Sequence, residues 1–532
     1  MCCTGAVKGA GDSLPDDIEA LRALALSALA ERDRALAERD QALEQSDRLR
    51  RLLRQANNAL YGSKSERLSR LDADQLALAL EDIEQAVAKT EALEAKASGA
   101  PPQSRDRRRR TNRGALPQHL PRLHRTIAPD DTDCPCCRAP MQVIGEETAE
   151  RLDVIPAQYR VIVTHRPKLA CRSCEKIIQA PAPEHLIRSG LPSEAMVVSV
   201  LVAKYGWHLP LYRQAKMLAV QGIDLDRSTL AFWVGYAAAE LMPLYQRLKQ
   251  ALLGSAKLAV DETPVPVLDP GRGKTKTGYF WTLARDERPW AGADPPAVVY
   301  TYAPGRGGEH LQELLATYRG IVQCDGYAPY KKLPSDRIVI AFCWAHLRRK
   351  LFDIAKGGNA PIATEALTRI AALYEIEAAI RGGDAAHRRT ERQARSAPLV
   401  NAFRSFLEQQ LARLSAKSDT AEALRYALNH WDGLVRFLDD GRIELDTNIV
   451  ERSMRPQALT RKNALFAGHD DGANNWAIVA SLIETAKLNG VDPQAWLADV
   501  LGRLVNLWPN ERLDELMPWT WQAEPQRAVL AA

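Results

Sequence analysis

The chain has 532 residues, too many for one ordinary core, which predicts several domains. Its 46% apolar content is that of a globular protein, and no run of 18 apolar residues is present to span a membrane. The start, MCCTGAVKGAGDSL, has no apolar h-region of a secretory signal, which predicts a cytoplasmic protein. Nine cysteines are too few for a disulfide scaffold in a chain of this length, so they read as metal ligands or core thiols.

From about Asp16 to Leu60 the chain lacks glycine and proline. Leu29, Leu36 and Leu43 recur every seven residues, and Leu53 and Leu60 resume the spacing after a phase shift. This predicts a long helix that pairs as a coiled coil; a single charged helix lying on the protein is the alternative. A second helical piece, Ala73 to Ala97, follows. The net charge of +5 decides little, but its distribution does more. Between Pro101 and Arg125 stand eight arginines, no lysine and one acid, with Arg107, Arg108, Arg109 and Arg110 consecutive. Prolines exclude a stable helix there. Such an arm attracts phosphate backbones, and a solvated linker is the plainer alternative.

Cys134 and Cys137 form one CxxC, and Cys171 and Cys174 form another, 33 residues on. Four thiolates in two such knuckles close a tetrahedron around a structural Zn²⁺ and leave no open catalytic position. Cys136 is a neighbouring competitor. The intervening Tyr159–Thr164 alternates as a strand does. Next, Leu211 to Val220 reads as a helix. Gln221 to Asp226 breaks it, and a second helix starts at Arg227 with Asp226 as its N-cap. That layout fits a helix-turn-helix offering its second helix to DNA, or equally a helical hairpin inside a core.

Beyond Ala256 the texture changes. Lys257–Asp261 is a short apolar run ending in an acid. Gly278–Leu283 and Ala297–Tyr302 are further strands, and Glu309–Tyr318 is a helix. Gly320–Asp325 is a fourth strand ending in an acid, and Arg337–Phe342 is a fifth. Two strands thus deliver carboxylates at their C-terminal ends. Gly271-Arg272-Gly273-Lys274-Thr275 imitates a phosphate-binding loop, but Leu268 stands where the motif needs glycine, so it reads as a basic hairpin. Gly305 to Gly308 before a helix is a weak phosphate signal. A helical region runs from about His346 to Phe437. Asp446–Arg452 then opens a helix carrying Glu451, and Trp476–Leu488 is a further apolar helix.

Taken in order, these pieces resemble the insertion-sequence-66 family of transposases. The resemblance rests on Tyr61-Gly62-Ser63-Lys64-Ser65-Glu66, the paired knuckles, and Leu209-Pro210-Leu211-Tyr212-Arg213-Gln214. It continues with Asp226-Arg227-Ser228-Thr229-Leu230, Val260-Asp261-Glu262-Thr263, Asp325-Gly326-Tyr327 and Cys343-Trp344-Ala345-His346. Asn448 to Pro456, Arg461 to Gly468 and Leu482 to Gly490 extend it almost to the end of the chain. The compact Cys134–Cys137 knuckle and the broken heptad phase are departures.

The resemblance implies a multidomain α+β chain. Its parts are a coiled-coil helix (14–68), a helix and basic linker (69–125), a zinc-binding β domain (126–185) and a helix-turn-helix-like segment (190–250). A ribonuclease-H-like α/β catalytic core (255–345 and 438–490) follows, split by a helical insertion (346–437), and then a C-terminal segment (491–532). It implies that Asp261, Asp325 and Glu451 are catalytic and hold Mg²⁺ or Mn²⁺. Two such ions activate an attacking oxygen and stabilise a leaving one in phosphodiester displacement. Asp261 would bridge both, with Asp325 and Glu451 each favouring one. Arg107–Arg110, Arg227, Arg452, Arg455 and Lys462 are the expected DNA contacts. DNA, a second copy of the chain and small accessory proteins of the same element are the expected partners.

The alternatives are a DNA-binding protein without catalysis, which has no need of three converging acids, and a ribonuclease-H-like nuclease, which has no need of the N-terminal half. Glu444 and Asp446 are rivals to Glu451. Glu262 should face away from Asp261 if the strand continues through it. Trp344 could stack on a displaced base or be buried, and His346 could orient a phosphate or pack.

Overall fold

The computed structural model describes residues 159–170, 177–187, 192–269, 274–358 and 360–522, together with residues 19, 22, 26, 29, 32, 33, 136 and 172. The chain divides into two units, Met1–Ile162 and Val163–Ala532. In the first, Glu19, Arg22, Leu26, Leu29, Arg32 and Asp33 are helical and exposed, within the span where the heptads predict a helix. Leu36, Leu43, Leu53, Leu60, the Ala73–Ala97 piece and Arg107–Arg110 lie outside the described residues.

Tyr159–Thr164, expected as a strand, carries none and is exposed throughout. Alternation makes a strand only where a partner accepts its hydrogen bonds. The strands that do pair are β1 (Lys168–Ala170) and β2 (Ile177–Gln179), antiparallel. Cys171 and Cys174 fall between them in the chain and, like Cys134 and Cys137, lie outside the described residues; Cys136 is described and exposed.

Helix α1 (Glu194–Leu201) starts at Ser193, whose hydroxyl accepts the Met196 N–H at 3.3 Å, and passes into a π-helical turn over Val202–Gly206. Helix α2 (Leu211–Val220) ends at a turn in which Gly222 has φ +77°, a conformation open to glycine. Asp226 accepts the Ser228 N–H at 2.7 Å and caps α3 (Arg227–Glu240), and α4 (Met242–Leu253) follows. One face of α3 is core (Leu230, Trp233, Val234, Ala237, Ala238), while Arg227, Phe232 and Tyr236 on the other are exposed.

The central sheet comprises β3 (Lys257–Asp269), β4 (Lys274–Arg285), β5 (Ala297–Ala303), β6 (Gly320–Cys324) and β7 (Ile338–Phe342), with helix α5 (Gly308–Leu314) between β5 and β6. Their order across the sheet is β5-β4-β3-β6-β7. The first three are antiparallel neighbours, whereas β6 runs parallel to β3 and β7 parallel to β6. The ladder of β3 and β4 reaches Asp269↔Lys274, so the basic loop read from the sequence connects a hairpin; its residues 270–273 are outside the described set.

The helical region contains α6 (Trp344–Lys356), α7 (Pro361–Ile380), α8 (Ala385–Glu391), α9 (Ala397–Leu411), α10 (Asp419–Asn429) and α11 (Trp431–Val435). It has its own aromatic centre of Trp344, Phe403, Trp431 and Phe437. The chain then returns to the sheet with α12 (Asn448–Ala464), α13 (Asp470–Leu488) and α14 (Pro493–Val505). Helix α12 packs across β3 and β4, and α13 against β5. Two polar residues of α13 close the sheet edge: Ser481 Oγ accepts the Tyr300 N–H at 2.8 Å, and Thr485 Oγ1 accepts the Val298 N–H at 3.1 Å. A covered edge cannot recruit a foreign strand. Among the described residues no helix is long and apolar enough to cross a membrane.

Candidate active site

Register brings two of the predicted acids together. Strands β3 and β6 pair as Lys257↔Ile321, Leu258↔Val322 and Ala259↔Gln323. Two residues further on, both chains arrive at an acid, Asp261 and Asp325. They therefore lie toward the same end of two neighbouring parallel strands, Asp261 within β3 and Asp325 one residue past the end of β6. Asp261 was expected at a strand end; β3 in fact runs on to Asp269, and what stops is its pairing with β6. Beyond Ala259 the free side of β3 admits Pro264 and Pro266, because the missing N–H groups face away from β4. The backbone bonds on that side go to the α12 end instead: the Ala467 N–H donates to Pro266 O at 2.9 Å and the Leu268 N–H to Ala467 O at 2.8 Å.

Helix α12 lies across β3 and carries Glu451, 7% exposed, in its first turn. The electrostatics tie the three acids to one another. Burial first, then the charges of Glu262, Asp325 and Glu451, push the Asp261 carboxyl up to about 7, against the hydrogen bond that Oδ1 accepts from the Glu262 N–H at 2.8 Å. Asp325 Oδ1 accepts the Tyr327 N–H at 2.9 Å, which fixes its loop. Glu451 faces the Arg349 guanidinium at 3.6 Å. Among the described residues, no group of three His, Cys, Asp or Glu side chains is drawn together tightly enough to hold a metal ion as they lie. The donor set still suits a hard divalent ion, since it is all carboxylate oxygen.

The neighbours separate in a way the sequence left open. Strand β3 does continue through Glu262, and alternation turns that side chain to the other face. There Arg306 pairs with it at 2.5 Å and the Tyr330 hydroxyl donates to it at 3.1 Å. Glu444 is engaged by Arg388 at 2.5 Å. Asp446 accepts the Asn448 N–H at 3.1 Å and shapes the turn into α12. Trp344 is 1% exposed and donates Nε1–H to Leu434 O at 2.8 Å, so it is a core residue that no DNA base reaches. His346 is half-buried on α6, beside Asp325.

Of the expected DNA contacts, Arg227, Arg452, Arg455 and Lys462 are exposed. The last three share one face of α12 by their spacing of three and seven residues. The Gly305–Gly308 segment contributes Arg306 rather than a helix-end phosphate site. Sequence reading missed Arg306, Arg349, Lys350 and Tyr426, which meet Asp325 around one cleft. Arg349 and Lys350 stand three and four residues after His346 on α6, a spacing that could have been noticed. Nothing local in the sequence points to Tyr426, a hundred residues away on α10.

Four family models match along the chain. The transposase IS66 family model covers residues 189–475, over half of the chain. The chain belongs to the IS66 transposase family. The IS66 C-terminal element matches residues 481–519, the zinc-finger binding domain of transposase IS66 residues 131–175, and the Transposase C of IS166 homeodomain residues 48–125. Two relatives from Sinorhizobium fredii match nearly end to end. The uncharacterized protein y4qI is 39% identical over 534 residues, covering 96% of this chain and 98% of its own. The uncharacterized protein y4jD is 41% identical over 523 residues with the same coverage. An IS66 transposase architecture with a zinc finger in its N-terminal region thus accounts for most of the chain.

Proposed function

We propose that the chain is a DNA transposase that cleaves the ends of its element and joins them to target DNA, with Asp261, Asp325 and Glu451 as its catalytic residues. One observation carries the reading: Asp261 on β3 and Asp325 just past the parallel β6 lie each two residues beyond the last paired residues of the two strands, and Glu451, from the helix packed across β3, is near enough to help raise Asp261 toward neutrality. Buried like charges of this kind are kept for function. The sheet order β5-β4-β3-β6-β7, with a helical insertion before α12, supports a ribonuclease-H-like core.

Asp261, Asp325 and Glu451 would hold Mg²⁺ or Mn²⁺, which when bound polarises the attacking oxygen and stabilises the leaving one. The chain's own groups do the positioning. The Glu262 N–H fixes one oxygen of Asp261, and the Tyr327 N–H fixes one of Asp325. Arg452 and Arg455, exposed just after Glu451, bind backbone phosphates and set the strand across the acids. Water attacks first and frees a 3′-hydroxyl at the element end; that hydroxyl then attacks target DNA at the same site. Cys134, Cys137, Cys171 and Cys174 hold a structural Zn²⁺. The Arg107–Arg110 arm and Arg227 add DNA contacts, with Lys462 farther along α12. Holding two ends together requires at least two copies of the chain, paired through the N-terminal helix, in the bacterial cytoplasm on DNA, with small accessory proteins of the element as further partners.

The test is cleavage of labelled DNA carrying the element's own ends, in Mg²⁺ or Mn²⁺, by the full-length chain and by Asp261→Asn. The expected result is metal-dependent cutting at the end that falls on the order of 10³-fold or more in the variant while binding persists. Equal cutting by both proteins would remove Asp261 from the chemistry.

A further inference from the structure

A cleft of about 400 Å³ opens beside Asp325. Helix α6 builds one wall. His346, Arg349, Lys350 and Asp353 recur at the spacing of a single helix face and line the cleft, while Trp344, Leu347 and Leu351 bury the opposite face. Tyr426, from α10 of the insertion, forms another wall. It comes so close to the Asp325 loop that a Cβ on Gly326 would stand 2.5 Å from its hydroxyl, so glycine is what lets the loop and the ring meet. Arg306 completes the rim, held by Glu262 and stacked 3.9 Å over the Tyr327 ring.

We propose that this cleft is a nucleotide subsite. It takes one nucleotide of the DNA strand beside the bond being cut, its phosphate against Arg349 and Lys350 and its base against the Tyr426 ring. The inference rests on the transposase reading for the identity of the strand. Size, charge and shape carry it. Small-ligand sites begin at about 300 Å³, and this one is at that end of the range, with room for a single nucleotide. Its cations Arg306, Arg349 and Lys350 outnumber its acids Asp325 and Asp353, and Asp325 is itself assigned to the metal site. The Arg349 side chain is 55% exposed despite its contact with Glu451, so it can reach a phosphate. Lys350 Nζ lies 5.0 Å from the centre of the Tyr426 ring. An arriving base takes the ring face, as bases do on aromatic platforms, and the ammonium transfers to the phosphate that comes with it. The insertion would then share in aligning the strand, through a ring seated directly on the loop of a catalytic acid.

The test uses the full-length Asp261→Asn chain, expected to bind without cutting, with end duplexes carrying 2-aminopurine at each nucleotide flanking the cleavage position. A change in fluorescence at one flanking position is expected, retained in Tyr426→Phe and lost in Tyr426→Ala. Lys350→Ala, on the exposed side of α6, should fold normally by circular dichroism. In the chain with Asp261 intact it is expected to lower cleavage about tenfold while end affinity changes less than about threefold. Signals that are the same with and without the Tyr426 ring, at every position, overturn the subsite. Cutting by the wild type without any ring-dependent signal overturns the subsite alone. A ring-dependent signal in a protein whose wild type cuts nothing upholds the subsite and sinks the transposase reading instead.

Discussion

Arg388 and Arg392, on the helical insertion, are as deeply buried as any apolar residue, at 1% and 0% exposed. Each is met by opposite charge. Arg392 donates to both oxygens of Glu377 at 2.7 and 2.6 Å and to Phe437 O at 2.9 Å. Arg388 reaches Glu377 at 3.0 Å and Glu444 at 2.5 Å. The acids on the sheet follow the opposite rule. Asp261 gathers like charge instead: Glu262, Asp325 and Glu451 all push its carboxyl up, while Arg349 stands 3.6 Å from Glu451. The arginines are matched carboxylate for guanidinium, whereas half-buried Asp261 has acids for its charged neighbours. Removing a partner from the paired arginines costs the fold, whereas removing the charge of Asp261 relieves it.

The largest effect should come from the paired cluster. Glu377→Ala leaves the buried Arg392 without its carboxylate and Arg388 with Glu444 alone, and is expected to lower stability by about 3–5 kcal/mol, seen in the urea midpoint at constant m. A loss below about 1 kcal/mol would mean that water already reaches these arginines, and the contrast would collapse.

Asp261→Asn should move the other way. The folded carboxyl titrates near 7 instead of its ordinary 3.8, so the native state binds the proton more tightly than the unfolded chain does. The penalty for ionising it is therefore complete above pH 7 and disappears below pH 4. Three units at about 1.4 kcal/mol each set a ceiling near 4 kcal/mol, and partial solvation brings the expected gain to roughly 1–3 kcal/mol at pH 8. Thermal melts of the metal-free proteins at pH 8 and pH 4 decide it. A variant less stable than wild type at pH 8 would show that the Asp261 charge is compensated after all.

These two clusters were not equally legible in the sequence. Asp261 and Asp325 could be picked out because each ends a run of apolar residues, and charge at the end of a buried strand is rare. What the sequence did not show is that the two runs are adjacent and in step, since parallel register is set by the α5 crossover and by packing rather than by any local signal. The full length of β3 was hidden by Pro264 and Pro266, which argue against a strand unless one knows that their side of it has no partner. Glu451 was distinguishable from Glu444 only through the family resemblance. The buried ion pairs were invisible, because Arg388 joins Glu377 and Glu444, which lie 67 positions apart. The buried state of Trp344 was equally unreadable: its cage of Phe403, Trp431 and Phe437 comes from three other segments.

Glu444 and Glu451 sharpen the comparison within one short stretch of chain. Glu444→Gln weakens its ion pair with Arg388 and is expected to lower stability by about 1–3 kcal/mol while end cleavage stays within about threefold of wild type. Glu451→Gln should abolish cleavage with a stability change under about 1 kcal/mol. Swapped outcomes would assign the third acid to Glu444.

The smallest effect tests the same rule on the surface. Two exposed arginines of the insertion are paired along their own helices, Arg369 with Glu365 and Arg404 with Glu408, both at 2.9 Å. Arg452 and Arg455 on α12 are exposed and form no ion pair among the described residues. An arginine already satisfied by a carboxylate releases few counterions when DNA arrives, whereas an unpaired one neutralises a phosphate in full. Arg452→Ala should therefore reduce the slope of log affinity against log salt for end DNA by about 1, and Arg455→Ala by the same amount, whatever the DNA sequence. Arg404→Ala, which removes a cation of equal charge from the same protein, should leave the slope unchanged within about 0.3. Equal losses from all three variants would mean that DNA senses only net charge, and that Arg452 and Arg455 have no special part in holding the strand beside Glu451.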